Sequence, residues 1–179
     1  MAYTWFVLLL AIAVTALMLL LAYGTSFGDL LHDRIPDRPG RRLFVASVNF
    51  FLTFAGVRAV VSAVLHNIPP FHFISNGGRH IHHLVFGIII LLAVGFGWLA
   101  DLGTGEDDSS LLLSRLMSIL YGVGAALTLD EFALWLNLRD VYWSPEGRTS
   151  IDAIILFGAL LAASAWGYPL LQARSGKKN

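Results

Sequence analysis

Long apolar runs alternate with short polar, turn-rich stretches along this chain, and the length of the runs predicts helices that cross a lipid bilayer. Residues 2–23 are apolar with Trp5 and Tyr23 near their ends. At about 1.5 Å of rise per residue, such a run spans a hydrocarbon core of about 30 Å. No Lys or Arg precedes it, and it is longer than the roughly 7 to 15 apolar residues of a signal peptide, so it is expected to stay as a first span. Residues 43–65 form a second run with Arg58 well inside it, and residues 81–100 a third, entered through His80, His82 and His83. Residues 111–138 and 151–171 complete the series. Between the runs lie Pro36 and Pro39, then Pro69, Pro70, Gly77 and Gly78, then the acidic Glu106, Asp107 and Asp108, and finally Tyr142 and Trp143 beside Glu146 and Arg148. These are turn formers, charges and interfacial aromatics. The expected fold is all-α: a single polytopic transmembrane bundle of five spans.

Composition agrees with that solvent. The chain has 179 residues, of which 56% are hydrophobic and 13% charged, where an ordinary soluble domain carries about 25% charge. Twelve basic and twelve acidic residues balance, so no nucleic-acid partner is expected, and the absence of cysteine removes disulfides and thiolate chemistry. Placement of charge says more than its sum. Arg34, Arg38, Arg41, Arg42, Arg115, Arg174, Lys177 and Lys178 fall at one side of the predicted spans and Arg79, Arg139 and Arg148 at the other, eight against three. Positive residues mark the cytoplasmic side. The N-terminus is therefore expected outside and the C-terminus inside, in a bacterial plasma membrane.

Two adjacent carboxylates, Asp130 and Glu131, stand inside the fourth apolar run. Each costs roughly 2.5 to 3.5 kcal/mol at membrane depth, so both need partners. Counting about 1.5 Å per residue, Asp130 lies about 22 Å beyond Arg115, and Arg58 lies about 22 Å beyond Leu43. Alternating connectivity then gathers Arg58, Asp130, Glu131, the histidines and Asp152 toward the outer leaflet. Arg58 is expected to pair with Asp130 or to anchor a substrate head group. On a helix starting at His80, His80, His83 and Gly87 share a face while His82 points elsewhere. Along the fourth span, Tyr121, Gly124, Thr128, Glu131 and Trp135 form one interior stripe, and Gly122, Ala126, Asp130, Ala133 and Asn137 its neighbour.

The stretches HIHHLVFGIII, ALTLDEFALWLNLRDVYW and EGRTSIDA resemble a group of uncharacterised multi-span integral membrane proteins of bacteria, mainly actinobacteria. The resemblance implies membrane location and carries no activity with it. Function is expected from the residues instead. Imidazole nitrogen and carboxylate oxygen suit zinc or iron, which points first to a metal-binding membrane enzyme acting on a lipid or other apolar substrate. His80 and His83 would be ligands, with His82 nearby. Glu131 would be a ligand or general base, and Asp130 the second candidate catalytic carboxylate. The alternatives are a proton- or cation-handling transporter or channel component and a structural subunit of a membrane complex.

Overall fold

The computed structural model describes residues 35, 38–69, 75–76, 79–80, 82–138 and 145–175. Helices α1 (Arg38–Leu65), α2 (His83–Leu99), α3 (Asp108–Asp130), α4 (Phe132–Asn137) and α5 (Arg148–Ser175) make an all-helical architecture. A 3-10 turn at Pro145–Gly147 precedes α5, and two-residue strands β1 (Ser75–Asn76) and β2 (Arg79–His80) pair antiparallel with Ser75 opposite His80. The predicted first span, residues 2–23, lies outside the described residues, as do His72, Tyr142 and Trp143.

Among the described residues, Arg38–Val64, Asp108–Asp130 and Arg148–Ala165 are each long and apolar enough to cross a membrane, at 27, 23 and 18 residues. Helix α2 is a shorter apolar helix of 17 residues. Its Val85, Ile89, Leu92, Phe96 and Leu99 recur every three or four positions, are all exposed and form one outward apolar stripe. A face of this kind suits a lipid or a protein partner better than water.

Helix α3 is the axis of the bundle and packs against α1, α2 and α5. Small residues let it do so. A Cβ on Gly122 would sit 2.9 Å from the Phe50 amide nitrogen of α1, and one on Gly87 of α2 would sit 2.8 Å from both the Gly124 carbonyl and the Thr128 nitrogen. Backbones therefore meet directly at both crossings, and the buried side chains of Phe50, Ala125, Ala126, Ile154 and Leu161 fill the space beside them.

Pairings at the two ends give the helix directions. Arg42 bonds Ser114 and Arg58 bonds Asp130, both at a sequence offset of 72, so α1 and α3 run parallel across those 16 residues (58 − 42 = 130 − 114). His83 of α2 meets Asp130 while Gly97 lies against Met117, so α2 runs antiparallel to α3.

Two boundaries differ from the sequence expectation. Helix α1 starts at Arg38, with Pro39 in its first turn, where the missing N–H has no helical acceptor to lose. The fourth predicted span is not one helix: α3 stops at Asp130, Glu131 adopts φ −106° and ψ 23°, and α4 begins at Phe132. Thr128 Oγ1 donates to the Gly124 carbonyl at 2.7 Å, a back-bond that bends helices, just before the break. Beyond it the Ala133 amide donates to Ser150 Oγ at 2.9 Å and the Leu134 amide to the Glu131 carbonyl at 3.0 Å. The change of phase turns Trp135, expected inside, outward to 50% exposure, whereas Ala133 stays buried.

Candidate functional site

The break at Glu131 brings both carboxylates to the start of α2. Helix α2 has His82 as its N-cap residue, in extended conformation and with no side-chain cap of its own. The cap comes from another helix. Glu131 Oε2 accepts from the Leu84 amide at 3.0 Å, so a carboxylate sits at the positive end of α2 and satisfies one of its free donors.

Side chains complete the set. Glu131 Oε1 lies 2.7 Å from His82 Nδ1, Asp130 Oδ2 lies 3.1 Å from His83 Nε2, and Asp130 Oδ1 accepts from Arg58 Nε at 2.6 Å. His83 Nδ1 is 3.5 Å from Glu131 Oε2, so a single imidazole ring stands between the two acids. All four carboxylate oxygens thus face a nitrogen. Arg58 also places its guanidinium carbon 5.4 Å from the centre of the Phe54 ring, a cation–π contact that steadies it from the other side.

Burial is graded across the cluster. The Asp130 side chain is wholly inaccessible and that of Glu131 8% exposed, while His83, His82 and Arg58 rise to 19%, 22% and 25%. With both carboxylates ionised, His83 can hydrogen-bond to both acids only with a proton on each ring nitrogen, since a neutral imidazole has one donor and one acceptor.

The expected residues are therefore brought together with one exchange and one omission. Arg58, Asp130, Glu131 and His83 meet, and His82, expected to point away, joins them. His80 does not belong to the helix: it lies on β2, and α2 starts at His83, so the i, i+3 face shared by His80 and His83 does not form. The extended conformation of His82 explains both corrections, because it ends the helical phase on which they rested. Asp152 is exposed on α5 and makes no hydrogen bond or ion pair among the described residues. Nor do the described residues hold a group of three or more His, Asp or Glu side chains arranged around a point where a metal ion could sit. Ring nitrogens and carboxylate oxygens point at each other instead.

Two contributors escaped the sequence argument. The Leu84 amide carries no side-chain signal, and Ser150, buried to 1%, reads in sequence as an ordinary loop serine. The one available hint was the pair His82–His83 itself, polar residues at the threshold of an apolar helix. No family model, curated protein or solved structure matches this chain.

Proposed function

We propose that this chain is a five-span plasma-membrane protein that handles protons through Asp130, Glu131, His82 and His83, with its N-terminus outside and its C-terminus inside. The observation that carries the reading is His83 set between two carboxylates, 3.1 Å from Asp130 and 3.5 Å from Glu131. Imidazole is the side chain that gains and loses protons near neutral pH, and its two nitrogens let a proton enter on one side and leave on the other. The shorter contact is hydrogen-bonded already. The longer one exceeds the 2.7 to 3.2 Å of a good bond, so passage to Glu131 needs the ring to move by about 0.3 Å or more. Glu131 hands the proton on to His82 at 2.7 Å, on the more exposed side.

Arg58 Nε bonds the other oxygen of Asp130 at 2.6 Å, which holds the carboxylate in place beside His83 as the inner proton donor and acceptor of the relay.

A zinc or iron enzyme acting on a lipid or apolar substrate is the second reading. It is favoured by histidines and carboxylates from two helices within 3.1 Å of one another. A metal would have to replace the His82–Glu131 and His83–Asp130 hydrogen bonds, and metal near one equivalent in purified protein would support this reading.

The test is proton flux. Purified protein in vesicles with a trapped pH dye, driven by a potassium diffusion potential, should acidify the lumen faster than protein-free vesicles. Asp130→Asn and His83→Phe should abolish the excess rate while circular dichroism stays helical. A wild-type rate equal to that of empty vesicles, or full flux in both variants, overturns the proposal.

A further inference from the structure

At the other end of the bundle, the first turns of α1 and α3 enclose a cavity of about 40 Å³ lined by Arg38, Arg41, Arg42, Arg115, Ser114 and Ser118. It is separate from the proton centre: Arg115 and Asp130 are fifteen residues apart on one helix, about 22 Å. A buried water needs about 10 to 15 Å³ on this measure, so the space takes about three such groups, the size of the oxygens of one phosphoryl group.

Arg38 and Arg42 are held in place here by neutral groups. Arg38 donates to the carbonyls of Gly103 at 3.0 Å and Thr104 at 2.6 Å, and Arg42 donates to the Gly103 carbonyl at 2.8 Å and Ser114 Oγ at 2.7 Å. Gly103 makes this possible. It sits at φ +70°, and a Cβ there would meet the Ser114 nitrogen at 2.8 Å, so no other residue could offer its carbonyl from that position. Carbonyl and hydroxyl oxygens orient the guanidinium planes without cancelling their charge. The nearby Asp107 is committed elsewhere: it caps α3 by accepting from the Ser109 hydroxyl and from the Ser110 amide at 3.1 Å, bonds that hold its carboxyl well below the usual carboxylate range. Arg38 also keeps a buried Nε donor that has no acceptor.

We propose that this cavity binds a phosphate group, carried either by an anionic phospholipid head group or by a small soluble phosphate. Guanidinium forks match phosphate oxygens in pairs, and serine hydroxyls add donors between them. The position suits both sources. Four of the eight basic residues of the inward side line it, at the level where anionic head groups of the cytoplasmic leaflet lie.

The test uses the full chain in nanodiscs of phosphatidylcholine alone, with inorganic phosphate titrated in, and in nanodiscs containing one-fifth phosphatidylglycerol, reading the thermal midpoint at constant ionic strength. A rise with phosphate points to a soluble ligand, and a rise only with phosphatidylglycerol points to the lipid head group. Arg42→Gln combined with Arg115→Gln should weaken binding about tenfold or more, a loss of about 1.4 kcal/mol or more. Arg174→Gln, which removes the same kind of charge from the tail, should leave binding intact. If the double variant does not fold, Arg42→Lys with Arg115→Lys keeps the charge, loses the forks and should still bind more weakly than wild type. No shift with either probe, or an equal shift in wild type and in whichever double variant folds, overturns the proposal.

Discussion

At the scale of single residues, Asp130 is the most constrained group described here. Its side chain is wholly buried, with Arg58 on one oxygen and His83 on the other. Removing one partner of a buried pair leaves a charge uncompensated, a loss of about 3 to 5 kcal/mol. Because the Arg58 side chain is 25% exposed, Arg58→Leu should fall near the lower end, about 3 kcal/mol. Asp130→Asn added to Arg58→Leu should recover part of that loss, since it removes the orphaned charge. Unfolding titrations in mild detergent of wild type, both single variants and the double variant measure this directly. Strictly additive effects would show that the pair is not coupled. Arg58 and Asp130 were legible as partners because their depths follow from counting along apolar runs.

At the scale of elements, the geometry of the histidine–carboxylate cluster depends on how closely α2 approaches α3. That approach is set at Gly87, where an added methyl group would press on the Gly124 carbonyl and the Thr128 nitrogen at 2.8 Å. Neither is a flexible side chain that can step aside. Gly87→Ala should therefore destabilise the bundle by about 1 to 3 kcal/mol and lengthen the His83–Asp130 contact, lowering proton flux with it. Gly95 lies on the same helix with nothing within 4 Å of its would-be Cβ. Gly95→Ala should be neutral or stabilising by up to about 1 kcal/mol, through helix propensity alone. Thermal unfolding of the two variants side by side separates packing from propensity. Equal midpoints would mean that the glycine crossing does not control the approach.

At the scale of the whole molecule, the parallel course of α1 and α3 with α2 antiparallel between their ends is what successive membrane crossings would produce. It places the arginine cavity and the histidine–carboxylate cluster at opposite ends of α3. The five-span proposal puts Ser75 outside and Ser175 inside. The chain has no cysteine, so Ser75→Cys and Ser175→Cys each report from a clean background. An impermeant thiol reagent applied to intact cells should label the first and spare the second until the membrane is permeabilised. Labelling of both in intact cells would rule out an odd number of crossings between the two positions, and with it the five-span proposal.

Sequence alone determined the helical class, the positions of four apolar runs that fall on described helices, one of them broken at Glu131, and the pairing depth of Arg58 with Asp130. These follow from composition and from a helical rise that is nearly constant, so that distance along the chain becomes height in the bundle. Tertiary structure decided which histidines reach the acids. Helical phase was extrapolated from His80, but the backbone at His82 is extended and α2 begins one residue later, so His82 joins the site and the His80 face dissolves. The same holds for the break at Glu131, which no proline or glycine announces. There the carboxylate caps α2 and Ser150 receives the freed Ala133 amide. Partners 17 and 47 residues away make that conformation affordable. Local propensity has no access to a hydrogen bond whose other half arrives from another helix.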